Sequence, residues 1–417
     1  MGFCAPILAR DALEPTLACE RVFAVLTIAP LTLHIIGIAL TVLAAAYALV
    51  ACFAEARTGK RVRGMCARDY ERCAGAMRSA ALECCPPVSV LKPLCGGEPN
   101  LYECLRSFCV QDHPHYQIVF GVQDGADAAL SVARRLQVEL PTQDIAVVID
   151  ARLHGSNRKV SNLANMLPAA HHSMLVLSDS DVIVDTGYLR RVTAPLSDPS
   201  VGLVTSLYRA RAVGGGWSHL VALFINEWFM PAVRIARLFG SDSFTSGVTI
   251  ALRRQTLERL GGFAAIADVL ADDYWLGAHT RRLGLATVAA EGIVDTVVAE
   301  RSFSAVCRHE LRWLRTIRSV QPHGYVPLGI SFTLPVAALG TLLAGADSIV
   351  LGVLALAVVA RLLLHFLARS GSAPLWLVPV GDLLAFALWC VSFVSRRVHW
   401  RAGVFDVERD GSMQRSV

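Results

Sequence analysis

The run from Met174 to Val184, MLVLSDSDVIV, holds the residues with the most chemistry in them: an apolar stretch breaks into Ser178-Asp179-Ser180-Asp181 and then resumes. A strand that ends in two carboxylates makes a site for a divalent cation. Carboxylate oxygens are hard ligands suited to Mg²⁺ or Mn²⁺, and two of them leave coordination positions free for substrate phosphates. The implied partner is a diphosphate. An isolated Asp-x-Asp after a strand also reads as a helix cap, so the choice rests on its company. A second acidic pair, Asp272-Asp273, falls in or near the first turn of a predicted helix, where the macrodipole favours acids. Asp124 closes another apolar run, Lys159 opens a helix, and His309, Arg312 and Trp313 share a later one.

Such side chains need a sheet to gather them. After a polar, Cys-dotted linker ending at Pro87, β-branched runs alternate with helical periodicity, the pattern of a mostly parallel sheet wrapped by helices. Strands are predicted at 88–94, 117–123, 145–149 and the segment ending in the paired aspartates. Helices are predicted at 99–110, 126–140 and 160–167, with a polar loop at 152–158. Beyond lie strands at 201–205 and 247–252, a long amphipathic helix at 217–238, a helix ending at Gly261-Gly262-Phe263, one containing Ala271 to Trp275, and one at 303–317. Ligands of open α/β sheets bind at the carboxyl ends of strands, so Asp124 and the Asp179/Asp181 pair are expected to face one crevice. No G-x-G-x-x-G or Walker pattern stands in the right context, which argues against a dinucleotide or P-loop fold. Thr245 to Ile250 either shapes an acceptor pocket or is a plain core strand.

With 417 residues, 54% hydrophobic and 18% charged, the chain is too apolar for a purely soluble protein. The excess sits at the ends. Residues 22–53 contain no acid or base except His34, enough to cross a hydrocarbon core of about 30 Å and too long for a signal peptide. Val326 to Ala344, Ile349 to Leu367 and Leu375 to Val394 follow at the other end. The implied division is a tail (1–21), a transmembrane helix (22–54), a linker (55–87), a catalytic domain (88–322), membrane segments (323–395) and a second tail (396–417). Arg57, Lys60, Arg61, Arg63 and Arg68 crowd the end of the first helix, which places the catalytic domain in the cytoplasm of a multi-pass protein of the inner membrane. Three carboxyl-terminal crossings would put the tail outside, yet Arg396, Arg397 and Arg401 put it inside. One re-entrant or interfacial segment would remove the conflict. Arg361 and Asp382, isolated charges in apolar segments, either pair or line a lipid-facing cavity. The twelve cysteines show no metal-ligand spacing, and a cytoplasmic location keeps them reduced. A net charge of +5, concentrated beside membrane segments, suits anionic lipid and not nucleic acid.

Taken in order, Val88-Ser-Val-Leu-Lys-Pro-Leu with Pro99-Asn100-Leu101, Val122-Gln123-Asp124, Lys159-Val-Ser-Asn162-Leu163, Ser178 to Asp181, Asp272-Asp273-Tyr274 and His309-x-x-Arg312-Trp313 span about half the chain. The set resembles the inverting glycosyltransferases of families 2 and 21, most closely the ceramide glucosyltransferase family, as does the layout of one amino-terminal helix and a carboxyl-terminal cluster. The bacterial branch associated with hopanoid biosynthesis, thought to add N-acetylglucosamine to a hopanoid polyol, is similar overall. The resemblance implies an α/β fold with a GT-A type nucleotide-sugar domain, a Rossmann-like mixed sheet, and membrane helices at both ends. It implies transfer of N-acetylglucosamine or glucose from a UDP-sugar to a hydroxyl of a membrane lipid, hopanoid or ceramide-like. Asp124 would accept hydrogen bonds from the uracil or ribose, Lys159 would approach the uridine or phosphate, His309 would contact substrate, Asp179 and Asp181 would hold Mg²⁺ or Mn²⁺, and Asp273 would be the general base. Arg312 would neutralise the diphosphate and Trp313 would pack beside the acceptor. Two departures stand out: His309 where Gln or Arg is usual, and Asp181 where the ceramide enzymes often lack an acid. A processive polysaccharide synthase and a nucleotide-binding membrane scaffold are the competing readings.

Overall fold

The computed structural model describes residues 30–58, 85–368, 373–400, 403–408 and 411–415. Helix α1 spans Pro30–Thr58 and is long and apolar enough to cross a membrane. Residues 22–29 of the expected segment, and Cys66 and Cys73 of the linker, lie outside the described residues.

The catalytic portion then alternates as its periodicity predicts: β1 (Val88–Pro93), α2 (Leu101–Cys109), β2 (Tyr116–Val122), α3 (Ala128–Glu139), β3 (Asp144–Ile149), α4 (Arg158–Met166) and β4 (Met174–Leu177). Strands β3, β2, β1 and β4 are parallel neighbours. β1 is buried along its whole length, which is why it reads as a continuous apolar run broken by a lysine. The second half is mixed. It adds β5 (Val182–Ile183), α5 (Tyr188–Thr193), β6 (Val201–Ala212), α6 (Gly216–Leu223), α7 (Met230–Leu238), β7 (Ile250–Arg253), α8 (Arg254–Arg259), α9 (Asp272–Arg282), β8 (Ala286–Val298) and α10 (Phe303–Val320). The eight strands run in the order β3-β2-β1-β4-β7-β6-β8-β5, with β7 antiparallel to both β4 and β6.

Two features depart from the periodicity. Strand β8 was not expected, because Glu291-Gly292 interrupts its alternation; Gly292 has φ of 91° and the register against β6 slips there, between Thr205 and Leu207. The helix predicted at 217–238 is continuous but wound as a π-helix over Phe224–Phe229. Asn226 explains the extra turn: its amide clasps both the N–H (2.7 Å) and the carbonyl (2.9 Å) of Ala210 on β6.

The carboxyl-terminal region holds α11 (Pro322–Tyr325), α12 (Thr333–Ala344), α13 (Ser348–Leu367) and α14 (Leu377–Ser392). Only α13 meets the length and hydropathy of a crossing by itself; the stretch from Pro322 to Ala344 is bent by 77° at a short break, and α14 has 16 residues. The segment expected at 326–344 is therefore the broken one, a bent span or a re-entrant loop. Arg361 and Asp382 do pair: the guanidinium bonds Asp382 Oδ1 at 2.7 Å and also Glu227 Oε2 at 2.7 Å, while His365 Nδ1 lies 2.6 Å from the other Glu227 oxygen. Arg234 and Glu55 likewise join α7 to α1. Strands β9 (Arg397–Trp400), β10 (Gly403–Val407) and β11 (Met413–Arg415) form a small antiparallel sheet that docks on the catalytic portion through Leu270.

Candidate active site

The carboxylates come from two turns, Asp179 and Asp181 from the one that follows β4 and Asp272 and Asp273 from the first turn of α9. Chain leaving β4 turns at Ser178 to Asp181, and a buried lysine fixes that turn. Lys92 Nζ on β1 donates to the carbonyl of Asp179, lies 3.4 Å from Ser178 Oγ and 3.8 Å from the centroid of the Phe108 ring. Burial pushes its pKa down to about 8, against the pull of nearby Asp181 and Asp179. Ser180 donates to Glu98 at 2.5 Å, and Asp181 takes a hydrogen bond from Thr296 on β8 at 3.1 Å. Asp181 Oδ1 is buried and has no partner. Burial, with Asp179 and Glu98 adding negative charge, pushes the Asp181 carboxyl up to about 7.

Helix α4 is capped by Asn157, whose side chain accepts from Val160 N at 3.1 Å, and this sets Lys159 in the first turn. A cation at a helix amino terminus opposes the macrodipole, so Lys159 needs the acids it meets: Asp179 Oδ1 at 2.7 Å and Asp272 Oδ2 at 3.2 Å. Burial opposes its charge, but Asp179, Asp272 and Asp273 together hold the ammonium above its ordinary pKa.

Asp272 and Asp273 occupy the first turn of α9, as expected. Asp273 accepts from Gly247 N at 2.9 Å through Oδ2 and from Tyr274 N at 2.8 Å through Oδ1. Burial first, and Asp272 next, push its carboxyl up to about 6. Gly247 has to be small here, because a Cβ would lie 3.0 Å from Asp179 Oδ2 and 3.1 Å from Lys159 Nζ. Thr245 to Val248 line the cavity, and strand β7 begins only at Ile250.

Asp179, Asp181, Lys159, Asp272 and Asp273 open into one cavity of about 570 Å³. One face of α10 forms its far wall: His309, Arg312, Trp313, Thr316, Ile317 and Val320 recur at helical spacing and all line it. Trp313 meets Phe229 edge to face at 5.2 Å between ring centroids, and the π-helical turn supplies Ile225, Trp228 and Phe229 as an apolar wall that continues to Leu328, before α12. The cavity is thus charged at the strand ends and apolar toward the helices that follow the domain.

Asp124 does not join it. Among the described residues that line the cavity it is absent; it is exposed at the end of β2, where its Oδ1 accepts from Ala126 N at 2.9 Å. Residues that spacing did not single out are Lys92, Glu98, Gly247, Tyr208, Thr296 and Glu300. Only Lys92 left a signal, a charge inside an apolar strand.

No three His, Cys, Asp or Glu side chains gather into a metal cage among the described residues. The donor set of Asp179 and Asp181 nonetheless fits a hard divalent ion that completes its shell with phosphate oxygens: both are carboxylates on one turn, and one buried oxygen of Asp181 lacks a partner.

The mixed sheet, with carboxylates at the ends of its central strands, defines a GT-A type glycosyltransferase fold. A mannosyltransferase from Pyrobaculum calidifontis, solved in complex with GDP-mannose and Mn²⁺, shares it with a TM-score of 0.52 and 20% identity over 85% of this chain and 98% of that one. The sequence profile of glycosyl transferase family 21 matches residues 37–413, and the chain belongs to that family. It is 24% identical to ceramide glucosyltransferase 1 of Caenorhabditis elegans over 240 residues, 57% of this chain and 51% of that protein. Ceramide glucosyltransferase 3 of the same organism is 24% identical over 242 residues, 57% and 52%. The chain spans about half the length of these curated relatives.

Proposed function

We propose that the protein is a membrane-bound inverting glycosyltransferase that moves a sugar, N-acetylglucosamine or glucose, from a UDP-sugar to a hydroxyl of a membrane lipid. The observation that carries this reading is the single cavity in which Asp179, Asp181, Asp272, Asp273 and Lys159 meet at one end while an aromatic and aliphatic wall extends from the other. A polar end of this kind suits a sugar diphosphate, and an apolar end suits a lipid. A hopanoid polyol is the acceptor favoured by the overall resemblance. Ceramide is the alternative, supported by the activity named for the relatives.

In this reading Asp273 takes the proton of the acceptor hydroxyl as its oxygen attacks the anomeric carbon and UDP departs from the opposite face. Its raised pKa suits the task, since a base works best near the working pH. Lys159 and Arg312 bring positive charge to the diphosphate. When bound between Asp179 and Asp181, Mg²⁺ or Mn²⁺ would supply Lewis-acid charge to the leaving group. The Mn²⁺ held by the Pyrobaculum mannosyltransferase is consistent with this. A contact of Asp124 with the nucleoside rests on the motif order alone. The basic residues after α1 support a catalytic domain on the cytoplasmic face of the inner membrane.

The test is transfer of labelled sugar from UDP-glucose or UDP-N-acetylglucosamine into chloroform-soluble product by membranes containing the protein. Asp273→Asn should lower it by at least about a hundredfold while UDP still binds. Transfer persisting in the variant removes Asp273 from the role of base, and an unchanged lipid profile on deleting the gene removes the lipid acceptor.

A further inference from the structure

We propose that His309 offers Nε2 as a hydrogen-bond acceptor to a hydroxyl of bound substrate, and that Glu300 is the positioning residue that fixes the ring in this form. The inference deepens the transferase reading and rests on it for the word substrate. Glu300 lies in the short connection between β8 and α10, and its Oε1 is 2.7 Å from His309 Nδ1. Burial, assisted by Arg312, lowers the pKa of His309 and keeps the imidazole neutral. Burial works against the charge on Glu300, but the hydrogen bond from His309 and those from backbone N–H groups at Ala299 and Glu300 hold its carboxyl below the usual range, so it stays ionised. Glu310, the other buried acid nearby, is held protonated by its burial and by the charge on Glu300.

The consequence is a matter of proton counting. An ionised carboxylate only accepts, so the one proton of the neutral ring sits on Nδ1. Nε2 then carries a lone pair. That atom is buried, has no partner in the protein, and belongs to a side chain that lines the cavity with Trp313 at 5.6 Å between ring centroids. Phosphate oxygens have no proton to give it, whereas hydroxyls do. Sugar and lipid alcohol both bring hydroxyls, and kinetics separates them.

Two measurements on the full chain in detergent micelles test the proposal. Nitrogen-15 spectra of histidine-labelled protein, with His309→Gln used to assign the signal, should show His309 as the neutral Nδ1–H form and should lose that form in Glu300→Met, which has no strong acceptor. With UDP-glucose and ceramide as probes, His309→Met should raise the KM of one substrate about 5- to 10-fold. His309→Gln, whose amide oxygen can accept, should recover most of the loss, and Glu300→Met should raise the same KM. A ring protonated at Nε2, or a His309→Met variant with both KM values unchanged, overturns the proposal. Failure of the wild-type protein to transfer sugar between these probes would count against the transferase reading, while the nitrogen spectrum would still decide the tautomer.

Discussion

Asp273 sits under opposing influences. Two backbone N–H groups and Lys159 favour its ionised form, while burial and Asp272 oppose it, and the balance leaves the carboxyl near pH 6. A base acts only when deprotonated, so the sign is fixed: the turnover rate should fall about tenfold per unit as pH drops below about 6, and level off above it. A profile of kcat at saturating donor, flat from pH 5 to 8, would contradict the role. The paired aspartates and the acidic pair of α9 were legible at this scale because their residue types are rare beside apolar runs. Asp124 stands outside the cavity that holds the other acids, since sequence locates a strand end but not the direction its next side chain takes.

At the scale of elements, position is set by close approach. The loop before β7 passes so near the carboxylates that a Cβ at Gly247 would lie 3.0 Å from Asp179 Oδ2 and 3.1 Å from Lys159 Nζ, closer than either can stay. Gly247→Ala should displace Asp179 or Lys159 by a few tenths of an ångström and raise the KM for UDP-sugar about tenfold, with thermal stability little changed. The π-helical turn works by a similar constraint: one asparagine bound to β6 rotates Trp228 and Phe229 into the cavity while Glu227 faces α13. The helix at 217–238 was readable from its amphipathicity. Its π winding was not, because it arises from a hydrogen bond to a strand that precedes it in sequence.

For the whole molecule, charge inside the membrane region fastens the catalytic portion to its anchors. Arg361 meets both Glu227 and Asp382, so Arg361→Met should leave Asp382 without its cation and Glu227 with His365 alone, and cost about 3–5 kcal/mol, read as a lower unfolding midpoint in detergent. The carboxyl-terminal sheet carries a topological consequence. Leu270 N bonds Gly411 O at 3.1 Å and Met413 N bonds Asp268 O at 2.8 Å, so tail and catalytic portion share one side of the bilayer. The intervening helices must then cross an even number of times, which removes the conflict between three apolar segments and a basic tail. Cysteines placed at exposed Gln414 and Asp198 should react with an impermeant maleimide from the same side of sealed vesicles, and opposite sidedness would refute the arrangement.

Residue types and their order were enough to establish the alternating α/β core, the apolar ends, and the acids of the strand and helix termini, because burial and periodicity are local properties of a chain. The Arg361 and Asp382 pair was open to the same reasoning, since two lone charges in apolar segments have few alternatives to each other. What required tertiary structure was convergence. Lys92, Gly247 and Thr296 matter through neighbours far away in sequence, and their contacts exist only once eight strands are in register. The same holds for the exclusion of Asp124 from the cavity, for Glu227 as the second partner of Arg361, and for the docking of the tail, each decided by which surfaces meet and not by any pattern along the chain.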